Sequence, residues 1–103
     1  MSWARQPHPA AENLFGAAWS ACYMGAIELA AGQKKIKLPA QIAVDAKIDL
    51  NMDAGNFFLA ARLTVSLPGL DRDVAEDLIH TAHGICPYPK AVHGNISIET
   101  KLA

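Results

Sequence analysis

The sequence predicts an α+β domain with its elements in the order α-β-β-α-β. Three observations carry that prediction. A run of small and apolar residues with helical spacing fills residues 12–31, two alternating segments flank a turn-rich stretch near residue 53, and a second helical pattern stops at Cys86-Pro-Tyr-Pro89 before a last alternating segment.

Residues 1–10 carry Pro7 and Pro9 without periodicity, and they read as an N-terminal arm ahead of one domain, 11–103. The first helix starts around Glu12, with small or apolar residues at 14, 15, 18, 21, 22, 25, 26 and 29. Gly32 is the expected stop, followed by Lys34, Lys35 and Lys37 where cations suit a helix C-terminus. After Pro39, Ile42, Val44, Ala46, Ile48 and Leu50 alternate with more polar neighbours. Asn51 to Asn56 is turn chemistry, and Phe57, Leu59, Ala61, Leu63, Val65 and Leu67 resume the alternation, giving an antiparallel hairpin over 41–67.

Pro68-Gly69 ends the hairpin. Asp71 is the expected N-cap of a helix running to about Gly84, with Val74, Leu78, Ala82 and Ile85 on one face. His80 and His83 stand near its C-terminus, where the dipole favours them. The prolines after Cys86 stop that helix. A third strand over 95–102 sets Ile96, Ile98, Thr100 and Leu102 against Ser97, Glu99 and Lys101. The expected architecture is a long central helix and a second helix packed on antiparallel strands.

A chain of 103 residues buries only about 60–65% of its unfolded surface, so an apolar fraction of 51% suggests further burial in an oligomer. Nine Lys and Arg against ten Asp and Glu give a net charge of −1, which offers no electrostatic case for nucleic acid or an anionic membrane. The uncharged run from Phe15 to Ile27 is shorter than a span of about 20 residues and reads as a core helix. The first residues lack the basic-then-apolar pattern of a secretory signal, so a cytoplasmic location is expected.

In a reducing compartment two cysteines are catalytic, metal-binding or inert more often than a structural disulfide. Cys22 lies mid-helix in apolar surroundings with no cation nearby in sequence, so its bland reading is a small buried hydrophobe. Cys86 stands at a helix end where the dipole does not favour a thiolate, which suits the less acidic member of a redox pair. A weaker competing reading is a metal site, with His80, His83 and Cys86 at i, i+3 and i+6 and Cys22 as a fourth ligand.

Two segments carry a resemblance. Glu12-Asn-Leu-Phe-Gly-Ala-Ala-Trp-Ser-Ala-Cys-Tyr-Met-Gly-Ala-Ile27 is similar to Pro-Glu-Gln-Leu-Phe…Ser-Ala-Cys-Phe-x-Gly-Ala-Leu, and Ala82-His-Gly-Ile-Cys-Pro-Tyr-Pro-Lys-Ala-Val-His-Gly-Asn-Ile96 to Ala-His-x-x-Cys-Pro-Tyr-Ser…Arg-Gly-Asn-Ile. Both are motifs of the organic hydroperoxide resistance branch of the OsmC/Ohr family, in the family's order, and the resemblance covers about residues 10–103.

The resemblance implies a thiol peroxidase that reduces organic hydroperoxides without metal, flavin or other cofactor. By position Cys22 matches the peroxidatic cysteine, Cys86 the resolving cysteine and Glu12 the active-site glutamate. The implied cycle passes through a Cys22 sulfenic acid and a Cys22–Cys86 disulfide, reduced by a dithiol such as dihydrolipoamide on a lipoylated protein. Phe15, Trp19, Tyr23 and Met24 would line an apolar substrate pocket, or else simply pack the core. The implied assembly is an intertwined homodimer with its sites at the subunit interface.

The sequence also departs from the pattern. No residue matches the arginine that in the family pairs with the glutamate and stabilises the thiolate; Arg5 is near but is not given that role. Ala11-Glu12-Asn13 replaces Pro-Glu-Gln, Pro89 replaces Ser, and His93 replaces Arg. The alternative from another class is therefore a weakened or inactive OsmC-like dimer that binds a small ligand or serves as a scaffold.

Overall fold

The computed structural model describes residues 10–39 and 41–103. The expected arm and Arg5 lie outside the described residues, apart from Ala10. Helix α1 spans Ala11–Gln33, and the extended Ala10 precedes it as an N-cap without a side-chain bond. The helix closes at Gln33, one residue past the expected stop. Gly32 lies inside it, Lys35 takes the left-handed conformation at φ 57°, and the Ile36 N–H reaches the Ala31 carbonyl at 2.9 Å. That bond and the one from Lys35 N–H to the Gly32 carbonyl satisfy carbonyls a helix end leaves orphaned.

The packed face of α1 differs from the expected stripe. Gly16, Trp19, Tyr23, Ala26, Ile27, Ala30 and Ala31 are buried, whereas Leu14 and Leu29 are more than half exposed and Ala18, Ala21 and Gly25 face outward. The cause is composition: α1 is small or apolar nearly all round, so spacing alone does not choose a face. The two largest rings choose it, since Trp19 and Tyr23 remove the most apolar surface from water.

Strands β1 (Ala43–Asp53) and β2 (Asn56–Ser66) form the expected antiparallel hairpin, in register from Ala43↔Ser66 to Asp53↔Asn56. The turn is tighter than expected, only Ala54-Gly55, both with positive φ as a two-residue hairpin turn requires. Ile48, Ala61, Leu63 and Val65 are buried on the inner face. Toward the hairpin tip Leu50, Met52, Phe57 and Phe58 are at least half exposed.

Helix α2 (Arg72–Ile85) follows, buried at Ala75, Leu78 and Ala82, while Val74 and Ile85 are only half-buried. Asp71 holds the N-cap position, but its side chain makes no capping bond. The prolines do more than end α2: a short helix α3 (Pro87–Val92) begins at once, because proline's fixed φ suits a first helical residue.

Strand β3 (Ser97–Leu102) lies beside β2 and parallel to it, in a sheet of order β1-β2-β3. The fold class is the expected α+β. The parallel β3 is the one departure from an all-antiparallel set of strands, and it follows from the crossover through α2 and α3, which returns the chain in the direction of β2. Helix α1 packs on both β1 and α2, and a single cluster of buried side chains joins α1, the sheet, α2 and Cys86.

Candidate functional site

Pro87 is the residue that shapes the site. A residue before proline is pushed out of the helical region, and Cys86 takes φ −62°, ψ 126°. Its N–H still bonds the Ala82 carbonyl at 2.9 Å, so α2 ends there and the side chain turns inward. Cys86 is 1% exposed. Cys22 stands at the rim of the buried face of α1 and is half-buried.

The two sulfurs lie 3.1 Å apart, and the Cys86 thiol donates to the Cys22 sulfur. A pair separated by 64 residues of chain thus meets in space, as the sequence led us to expect. Both thiols are free in this structure.

Burial first, and then the bond to Cys22, push the Cys86 thiol up to about 11 from an ordinary 9.0. One effect opposes this: the Tyr88 backbone N–H, two residues on, favours the charged form of Cys86. Cys86 therefore ends one helix and opens the next. The expectation that its helix dipole is purely unhelpful holds for α2 but omits α3.

An aromatic cluster is carried by the same two segments, with Trp19 one helical turn before Cys22 and Tyr88 two residues after Cys86. Phe15 and Trp19, one helical turn apart on α1, have ring centroids 5.5 Å apart. Tyr88 stacks on Phe15 at 6.0 Å and meets the edge of Trp19 at 6.1 Å. Tyr88 was not among the expected pocket residues, although its place after Cys86-Pro87 was the available signal. Trp19 is wholly buried, and among the described residues its Nε1 has no hydrogen-bond partner.

Tyr23 is also wholly buried, but it faces α2: its hydroxyl donates to the Ile79 carbonyl at 3.2 Å and its ring meets His83 edge-on at 6.2 Å. Burial, and secondarily the nearby Cys86, raise the phenol to about 12. Trp19 and Tyr23 thus back the site from the core, while Phe15 and Met24 are half-buried.

Glu12 is half-buried in the first turn of α1. Ten residues of helix put its backbone roughly 15 Å along the axis from Cys22, so the two do not meet without a group between them. Arg62 is held by both carboxylate oxygens of Asp49 at 3.0 and 3.1 Å, and Arg72 pairs with Glu76 at 3.0 Å.

The whole chain can now be compared with known proteins. Residues 4–101 match the family of OsmC-like proteins. The chain belongs to the OsmC-like family. It is 36% identical over 92 residues to the organic hydroperoxide resistance protein of Xanthomonas axonopodis pv. citri, an alignment covering 89% of this chain and 65% of that one. It is 34% identical over 91 residues to the organic hydroperoxide resistance protein OhrB of Bacillus subtilis, covering 88% and 67%. The crystal structure of that OhrB superposes with a TM-score of 0.88 at 33% identity, over 97% of this chain and 74% of that one. The chain thus spans about two thirds of the length of the curated relatives it matches.

In this OsmC-like chain the competing metal site does not assemble. Among the described residues no group of three or more His, Cys, Asp or Glu is placed to hold an ion. Cys86 leaves the helical path at Pro87, His80 is exposed, and His83 packs against Tyr23 with its pKa lowered by burial and then by His80. Helix α1 is long and apolar enough to cross a membrane by length and composition, yet its aromatic face is buried against β1 and α2.

Proposed function

We propose that this OsmC-like protein reduces organic hydroperoxides through Cys22 and Cys86. The observation that carries the reading is the 3.1 Å approach of the two sulfurs in a chain whose named relatives are organic hydroperoxide resistance proteins. Cys22, the less buried of the two residues, attacks the O–O bond, giving the alcohol and a Cys22 sulfenic acid. Cys86 displaces the sulfenic hydroxyl and forms the disulfide.

The raised pKa of Cys86 fits that second step. A resolving thiol still protonated at neutral pH brings the proton that leaves with the hydroxyl as water. The stacked Phe15–Tyr88 pair favours an aromatic or fatty hydroperoxide over hydrogen peroxide, because its ring faces offer apolar contact that only a substrate with an apolar body can use. A dithiol, such as a lipoylated protein, restores both thiols by exchange.

Leu14 and Leu29 on α1, with Leu50, Met52, Phe57 and Phe58 on the hairpin, leave apolar surface uncovered, which supports assembly as a homodimer. We place the protein in the cytoplasm, where a dithiol reductant is available. Steady-state consumption of cumene hydroperoxide with a dithiol as electron donor tests the reading. Turnover that disappears in Cys22→Ser supports it. An unaffected rate in that variant, or no turnover in the parent, favours the scaffold alternative.

A further inference from the structure

A disulfide between Cys22 and Cys86 presents two unequal sulfurs to a reductant. Cys86 is 1% exposed, enclosed where α2 ends and α3 begins, and it belongs to the same buried cluster as Trp19, Tyr23 and Ala82. Cys22 sits at the rim of that cluster and is half-buried. Thiol–disulfide exchange requires the incoming sulfur to approach the attacked one from the side opposite the leaving sulfur, so access decides which can be attacked.

We propose that an external thiol opens the Cys22–Cys86 disulfide at the Cys22 sulfur and expels Cys86 as the leaving group. This rests on the peroxidase reading only for the origin of the disulfide in the cell; the exchange itself needs only the close approach of the two sulfurs.

The step balances as follows. A thiolate RS⁻, its proton already in solvent, bonds to Cys22 Sγ and gives a mixed disulfide. The Sγ–Sγ bond breaks, and its electron pair leaves on Cys86 Sγ. That sulfur, whose charged form the Tyr88 backbone N–H favours, then takes a proton from solvent. A second reductant thiol attacks the R sulfur, releases Cys22, and carries away the disulfide formed from the reductant. Two electrons reach the protein, and both cysteines return to thiols.

One effect opposes this direction. A less acidic thiol leaves more slowly, and Cys86 is raised from 9.0 to about 11. Two units cost at most about a hundredfold. Attack on Cys86 would instead require opening the buried seam between α1 and α2. Core segments open with free energies that approach the global stability, so the open form is rarer than the closed one by a factor well above about a thousand. Access outweighs acidity.

Full-length protein oxidised with diamide, which closes the disulfide without any peroxide, is mixed with excess glutathione and quenched in acid within milliseconds. Free thiols are alkylated in denaturant and both cysteine peptides are mapped by mass spectrometry. The expected result is glutathione on Cys22 and the alkyl group on Cys86, in at least tenfold excess over the reverse. A majority of glutathione on Cys86 overturns the proposal.

If reclosure outruns the quench, single-cysteine proteins decide. Glutathione is to be released by dithiothreitol at least tenfold faster from Cys22 in Cys86→Ser than from Cys86 in Cys22→Ser, or Cys86 is to resist loading in the native protein. Equal or inverted rates overturn the proposal. A protein whose disulfide closes with diamide but not with hydroperoxide loses the peroxidase reading and keeps this one.

Discussion

Gly16 packs directly beneath the Ala46 carbonyl, so closely that a Cβ at Gly16 would stand 2.8 Å from that oxygen and 3.3 Å from Ile48 Cγ1. This contact seats the first half of α1 on β1, and with it the helix that carries Phe15, Trp19 and Cys22.

Gly16→Ala therefore tests the seating. Alanine is the better helix former by about 1 kcal/mol, but the clash is with backbone and cannot be relieved by turning a side chain. Overpacking of this kind costs about 1–3 kcal/mol. Urea denaturation is expected to show a net loss of stability. A gain would mean that α1 does not lie this close to β1.

Tyr23→Phe removes the bond to Ile79 while keeping the ring in the core. The Ile79 carbonyl lies within α2 and retains its helical partner, so the loss falls at the low end of about 0.5–1.5 kcal/mol. Equilibrium unfolding measures it. A loss above about 3 kcal/mol would show that the hydroxyl is more than a strut between α1 and α2.

Cys86 in the reduced protein is expected to titrate near pH 11, well above an ordinary thiol. Its folded pKa is raised, so the neutral thiol is the form that folding favours. The associated stability is complete below the unfolded value near 9 and is lost as the pH climbs through 11. The Cβ carbon shift of Cys86, followed by NMR against pH, reports it directly. A midpoint at or below 9 contradicts the burial seen here.

Tyr88→Ala is expected to lower kcat/KM for cumene hydroperoxide by about tenfold, since roughly 1.4 kcal/mol of ring contact corresponds to that factor. The rate with hydrogen peroxide, which has no apolar body, is expected to change much less. Equal losses for both substrates would remove Tyr88 from the substrate wall and leave it a packing residue.

Much of this arrangement was legible in the residues, for identifiable reasons. The hairpin announces itself because one face is buried and the other wet, so Ala61, Leu63 and Val65 alternate with polar neighbours. The end of α2 was readable because Pro87 leaves Cys86 little conformational choice. The packed face of α1 was not, since Leu14, Ala18, Ala21 and Leu29 are as apolar as the residues that pack. Nor was the helical end at Lys35, a residue with no special liking for positive φ.

In the candidate site the spacing of the cysteines said nothing about distance; the two motifs did, by resembling a family in which such sulfurs meet. Tyr88 went unassigned because its neighbours Phe15 and Trp19 lie about seventy residues away along the chain, across a contact no periodicity encodes. The roughly 15 Å of helix between Glu12 and Cys22 was implicit in their ten-residue separation, and it leaves the glutamate without direct contact to the thiol.

The most direct test of the account is intact-mass analysis of the reduced protein after one equivalent of cumene hydroperoxide, followed by peptide mapping. The account predicts the loss of two hydrogens, located in a disulfide joining Cys22 to Cys86, and an oxygen retained on Cys22 as sulfenic acid in Cys86→Ser. Protein that stays reduced, or that gathers oxygen on methionines while both thiols remain free, contradicts it.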